Sequence, residues 1–100
     1  MTTDIDQTSL HRLRESQERF EQECRNEGHQ VGRIWATKFA DYRELKKVAA
    51  LDNVEHDVTL ADLLHAADTE VGELFNDPED VTDDHAIGFI EGAAEVFAEV

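Results

Sequence analysis

The chain has 100 residues, of which 40% are hydrophobic and 33% are charged, and its formal net charge is −15 at pH 7. This length predicts one domain with a modest core, and the periodic recurrence of apolar residues excludes an intrinsically disordered chain. The apolar runs are too short for a membrane span, a lone Cys24 excludes a disulfide framework, and the start of the chain lacks the pattern of a secretion signal. We therefore expect a cytoplasmic protein without a membrane or a cofactor.

The charges are distributed unevenly along the chain. Nine acidic residues balance nine Lys and Arg in residues 1–47, whereas residues 48–100 hold fifteen acids and no Lys or Arg. Repulsion disfavours nucleic acid and anionic membranes as partners of this acidic half. Three explanations stay open, namely a high-salt cytoplasm of a halophilic organism, a surface for a basic protein partner, and solubility alone. The presence of only three Lys against six Arg favours salt adaptation. Salt adaptation alone would spread the charge over the whole chain, however, so the asymmetry keeps a basic partner as an open explanation. A rigid array of carboxylates could also imitate DNA.

One long helix is predicted over residues 9–40, after a flexible polar segment over residues 1–7. Thr8 or Ser9 is a plausible N-cap, and no proline follows before position 78. With 100° per residue, most of the apolar residues fall in a single stripe. The stripe contains Leu10, Leu13, Phe20, Cys24, Val31, Trp35 and Phe39.

Small residues recur at every fourth position in the second part of this helix. They are Gly28, Gly32, Ala36 and Ala40, and the last helix carries a second pair, Gly88 and Gly92. Such spacing allows two helix backbones to approach closely, so we expect these two faces to cross.

That crossing would bring the basic half of the chain to the acidic half. Its ion-pair candidates are Arg25 and Arg33 on one side, with His29 nearby, and Glu91 and Glu95 on the other. The alternative is that each glycine pair only makes room for a neighbouring aromatic ring.

Three further helices are predicted. Residues 42–51 follow the capping pair Asp41 and Glu44, and residues 60–75 follow Thr59 and end before Pro78. Residues 83–99 follow Thr82 and are apolar around much of the circumference, which indicates a central helix. We therefore predict an all-α fold, a small bundle of one long, one short and two medium helices, with the last helix central and the single domain covering residues 8–100.

The helix lengths do not match. At 1.5 Å per residue the first helix is roughly 45 Å long and the last two are each about 25 Å long. The residues left without an intrachain partner are Leu10, Leu13, Phe20 and Cys24. A homodimer that buries this segment against a second copy is the simplest solution. The alternative is a bend near Gly28 that folds the segment back as a hairpin.

No motif specifies a reaction. Asp62 and His65 have the spacing of a helix-bundle metal site. The matching second motif is missing, however, and both residues face solvent, so we predict no metal site. The other histidines are His11, His29, His56 and His85.

Pairs of acidic residues leave one alternative function open, a small all-α Mg²⁺-dependent nucleotide phosphohydrolase, although no phosphate-binding loop supports it. Such pairs are Glu15/Glu18, Glu70/Glu73 and Glu91/Glu95. We predict a non-enzymatic, acidic protein-interaction module.

Overall fold

The computed structural model describes residues 7–53, 58–67 and 71–100, and within these ranges it contains four α-helices and no β-strand. The helices are α1 (Gln7–Lys38), α2 (Tyr42–Ala50), α3 (Leu60–Ala66) and α4 (Asp83–Glu99). Short 3-10 turns lie at Leu51–Asn53, Val71–Leu74 and Pro78–Asp80. The predicted all-α bundle, with α4 packed against α1, is confirmed.

Helix α1 runs without a break through Gly28. Its 32 residues correspond to a length of about 48 Å, and the hairpin alternative is therefore wrong. The helix begins before the expected caps Thr8 and Ser9. It ends at Lys38, two residues earlier than predicted, where the Trp35 carbonyl accepts hydrogen bonds from both following N–H groups at 2.9 Å.

Side chains at the start of α2 and α3 cap the free N–H groups there. The Asp41 carboxylate accepts a hydrogen bond from the Glu44 N–H at 2.8 Å, and the Glu44 carboxylate accepts one from the Asp41 N–H at 3.4 Å. Thr59 and Asp62 form the same reciprocal pair. Such a cap contributes about 1 kcal/mol to helix stability, and each fixes where its helix begins.

Helix α3 is shorter than predicted. Instead of continuing to Phe75 it ends at Ala66, since Ala67 takes an extended conformation with φ −90° and ψ 128°. Asp68 and Thr69 come next in the sequence, and both residue types disfavour helix interiors because their side chains compete for backbone hydrogen bonds. Residues 68–70 lie outside the described residues, and the chain continues at Val71 as a 3-10 turn.

The core forms around α4. Phe89 is fully buried, with its ring centroid 5.2 Å from that of Trp35 and 6.1 Å from that of Phe75. Val48 of α2 and Leu63 of α3 are fully buried in the same cluster. Since full burial of one such side chain contributes about 1.5–3 kcal/mol, these contacts hold α2 and α3 on α4.

The first part of α1 extends beyond this core. Every residue from Leu10 to Phe20 is exposed, and the molecule is 60 Å long but only 27 Å and 21 Å across. We call residues 7–20 the overhang. It corresponds to about 21 Å of helix.

Candidate functional site

Helices α1 and α4 touch through their backbones at the glycines. A Cβ atom added to Gly28 would overlap the carbonyl oxygen of His85, and one added to Gly32 would overlap that of Phe89. Gly88 and Gly92 show the same relation to the carbonyl oxygens of α1. The structure thus brings the two glycine pairs together, and neither helix could approach the other so closely with larger residues at these positions.

The two helices run parallel. A Cβ atom on Gly88 would meet the carbonyl of Arg25, and one on Gly92 would meet the carbonyl of His29. One turn forward along α1 is therefore one turn forward along α4. Because α4 begins level with the middle of α1, the overhang has no helix beside it in the described part of the chain.

The two alanines of the predicted ladder lie at the end of this contact. Ala36 is buried in the core, whereas Ala40 lies beyond the end of α1, where it packs against the core from the connection to α2. The expectation that Ala40 belongs to the crossing face of the helix is therefore wrong, because α1 stops at Lys38.

One carboxylate of α4 contacts both Arg33 and His29 of α1. Glu95 Oε2 lies 3.1 Å from Arg33 Nη1 and 2.5 Å from His29 Nε2. The hydrogen bond from Arg33, followed by that from His29, holds the pKa of Glu95 below its ordinary value. The Arg33 guanidinium also lies 3.9 Å from Glu99.

Arg25 pairs with a residue that the sequence did not indicate. Its Nε lies 3.5 Å from Asp84 Oδ1, whereas Glu91 is exposed and makes no ion pair with any residue that the structure describes. The parallel register sets Arg25 level with Gly88, and Asp84 lies one turn before it on the same face. Glu91 as an ion-pair candidate is therefore wrong.

A polar cluster joins the middle of α1 to the start of α4. The Thr82 N–H donates to His85 Nδ1 at 3.0 Å, so Nδ1 is the acceptor nitrogen, and Nε2 lies 2.8 Å from Glu27 Oε2. The rings of His85 and Phe75 pack nearly at right angles, with centroids 5.4 Å apart. Burial raises the pKa of the Cys24 thiol, although a hydrogen bond with Thr82 opposes the shift. A raised pKa makes this thiol a poor nucleophile.

Sequence reasoning missed this cluster, because His85 and Glu27 are 58 residues apart. One local signal was available in the sequence. When Thr is the N-cap of a helix, the side chain at the third helical position can form a hydrogen bond with the backbone N–H of that Thr. His85 occupies that position.

A groove of about 560 Å³ lies where the overhang meets the rest of the molecule. Asp77 and Asp80 belong to its lining, and a hydrogen bond between their carboxyl groups raises the pKa of Asp80. The other lining residues are Phe20, Glu23, Cys24, Glu27, Thr82 and His85. The groove is therefore acidic, with Phe20 at the end towards the overhang.

The expected dimer-interface residues have different environments. Leu10, Leu13 and Phe20 are 38%, 60% and 58% exposed, and they share the overhang stripe. Cys24 is only 5% exposed and lies on the groove floor. The structure therefore leaves three large apolar side chains uncovered, and Cys24 is not one of them.

The carboxylates do not converge on a metal site in the described ranges. No group of three or more His, Cys, Asp or Glu there could hold a metal ion. Asp62 accepts hydrogen bonds from the Thr59 N–H and hydroxyl, each at 3.0 Å, and these bonds lower the pKa of Asp62. His56 and Glu70, which the sequence analysis also considered as possible metal ligands, lie outside the described residues.

The fold and the site define a small all-α domain built on a close parallel helix pair, with an exposed apolar overhang. None of the helices in the described ranges is long and apolar enough to cross a bilayer. When the chain is compared with models of protein families, with curated proteins and with solved structures, it matches none of them.

Proposed function

We propose that the chain is a non-enzymatic, acidic protein-interaction module that homodimerises through α1. The observation that carries the proposal is the exposed stripe of Leu10, Leu13 and Phe20 on the overhang. Apolar side chains aligned on a helix face are normally covered by another element. In a two-fold dimer the same face of a second copy provides that cover.

The magnitudes favour a dimer of modest affinity. Covering the exposed part of Leu13 or Phe20 contributes about 1–2 kcal/mol, so six side chains from two copies contribute on the order of 6–10 kcal/mol. Association costs about 4 kcal/mol or more in lost translational and rotational freedom. The stripe alone therefore supports a dissociation constant no tighter than roughly tens of micromolar.

The acidic half provides a second surface in this proposal. Arg25 and Arg33 of α1 pair with Asp84 and Glu95, whereas exposed acids such as Glu91 have no cation of residues 48–100 to offset them. A basic protein is the partner that this charge favours. Capture of a basic partner should be strong in about 0.1 M salt and lost in about 1 M salt, where the Debye length falls to roughly 3 Å.

Matched substitutions test the dimer. Phe20 and Phe39 are 58% and 55% exposed, but only Phe20 lies on the overhang. We expect Phe20→Gln to shift the chain to monomer in light scattering behind size exclusion, and Phe39→Gln to leave the dimer intact. Leu13→Gln should reproduce the Phe20→Gln result. Equal molar masses for all three variants and the wild type would refute the role of the stripe.

A further inference from the structure

We infer that the dimer is antiparallel and that the groove of each copy receives the first turns of α1 of the other copy. This inference rests on the proposed pairing through α1 and adds the orientation and the receiving site. The site lies beside Phe20 and is bounded by Glu27, Asp77, Asp80 and His85. Its proposed occupant is the segment of residues 10–14 of the second copy.

Phe20 links the overhang to the groove. It is the last large exposed apolar residue of the overhang and also a lining residue of the groove. If the two-fold axis passes close to Gln17, Leu10 of one copy lies level with Cys24 of the other, since both are seven residues, or about 10 Å, from the axis. Leu13 then lies beside Phe20 of the second copy. The exposed leucines thus meet the apolar end of the groove.

The charges beside the stripe select the antiparallel orientation. At 100° per residue, Arg12 lies on the same flank of the stripe as Glu23 and Glu27, and Arg14 lies on the opposite flank with Glu21. An antiparallel two-fold places like flanks of the two copies together. Arg12 then faces Glu23 of the second copy, and Arg14 faces Glu21.

A parallel dimer would bring like charges together. In parallel pairing, opposite flanks meet at the same level, so Arg12 would lie near Arg14 of the second copy and Glu21 near Glu23. Both approaches are repulsive, and like charges across an interface suppress the wrong arrangement. The same four positions therefore stabilise one orientation and destabilise the other.

The groove itself has the charge that suits this occupant. Glu23, Glu27, Asp77 and Asp80 contribute four carboxyl groups to its lining, and no Lys or Arg is among the lining residues that the structure describes. The overhang, in contrast, carries three Arg and two Glu. Entry of Arg12 brings a cation to carboxyl groups that otherwise repel one another.

A distance between spin labels tests the orientation. Gln30 is exposed on α1, so Gln30→Cys in a Cys24→Ser background carries one label per chain and leaves Leu10, Leu13 and Phe20 unchanged. In the antiparallel dimer the two labels are 13 residues on either side of the axis, which is about 40 Å apart along the helices. In a parallel dimer they lie side by side, within about 25 Å. Electron–electron resonance should give the longer distance.

Removal of one groove charge tests the receiving site. We expect Asp77→Asn to raise the dissociation constant of the dimer about three- to fivefold. Glu79→Gln is the matched control, because Glu79 is exposed on the same 3-10 turn but does not line the groove. On the other side, Arg12→Gln should weaken the dimer and Arg43→Gln, on α2, should not.

The outcomes separate this inference from the proposed function. A chain that stays monomeric at every concentration overturns both. A dimer whose labels lie within about 25 Å retains the homodimer but overturns the antiparallel arrangement. A long label distance with equal effects of Asp77→Asn and Glu79→Gln retains the orientation and overturns the groove as the receiving site.

Discussion

Gly32 of α1 lies directly against the backbone of Phe89 in α4, so that a Cβ atom at position 32 would overlap the Phe89 carbonyl oxygen. The ring of the same residue packs 5.2 Å from Trp35, one turn further along α1. Phe89 therefore fixes both the distance between the two helices and the position of α4 along α1. The overhang results from this register, because α4 begins beside the middle of the longer helix.

The close contact predicts that a single methyl group at position 32 destabilises the fold. Ala is about 1 kcal/mol better than Gly in a helix interior, but overpacking against backbone costs about 1–3 kcal/mol or more. We expect Gly32→Ala to lower the Tm by roughly 5–10 °C. Gly72→Ala is the control, since no atom lies within 4 Å of its added Cβ, and it should leave the Tm unchanged or slightly higher. Equal effects in thermal unfolding would contradict the close crossing.

The carboxylate that joins α4 to α1 predicts a pH-dependent contribution. Because the pKa of Glu95 is lowered by Arg33 and His29, the folded state favours the ionised form. The resulting stabilisation is present above the ordinary value of 4.5 and is lost as the pH falls through the lower pKa of the folded state. Glu95→Gln should therefore lower the Tm at pH 7, and its difference from wild type should shrink below pH 4.5. A difference that is constant from pH 3 to pH 7 would contradict this pairing.

The raised pKa of Asp80 predicts the opposite sign. The fold favours the protonated carboxyl beside Asp77, so stability decreases as the pH rises from the ordinary value of 3.8 through the higher pKa of the folded state. Asp80→Asn should raise the Tm at pH 7 and have less effect near pH 3. Unfolding is best compared in a Phe20→Gln background, where we expect a monomer and hence no contribution from the groove of a second copy. A Tm lowered at pH 7 would be inconsistent with carboxyl repulsion at this turn.

The charge of residues 48–100 predicts stabilisation by salt. Fifteen acids without a Lys or Arg in this half repel one another, and raising the KCl concentration from about 0.01 M to 0.15 M shortens the Debye length from roughly 30 Å to 8 Å. We expect the Tm to rise over this range. The double variant Asp83→Lys/Glu91→Lys should show a smaller rise, because it removes part of the repulsion. A Tm that is independent of salt in both proteins would rule out repulsion as a significant term.

The sequence predicted which faces could approach but not how they are oriented. The spacing of Gly28 and Gly32, and of Gly88 and Gly92, indicates faces without side chains, and these faces lie together. The spacing of small residues is the same in both directions along a helix, so it could not distinguish a parallel from an antiparallel helix pair. The partner of Arg25 depends on that direction, and for this reason Asp84 was missed.

Contacts between distant segments were the least predictable. The end of α3 at Ala66 depends on how residues that follow it reach the core, since Val71 and Phe75 are buried after a change in backbone conformation. The contact of His85 with Glu27 depends on the relative rotation of two helices. Helical periodicity alone specifies neither, whereas the caps at Asp41 and Thr59 are local and could be predicted from a few neighbouring residues.

The molar mass of the wild-type chain as a function of concentration tests the central claim most directly. Sedimentation equilibrium should show a mass of 11.3 kDa, that of one chain, at low concentration and a rise towards twice that mass at high micromolar concentration. Phe20→Gln should remain at the mass of one chain throughout. A wild-type mass of one chain up to the millimolar range would contradict dimerisation through the overhang.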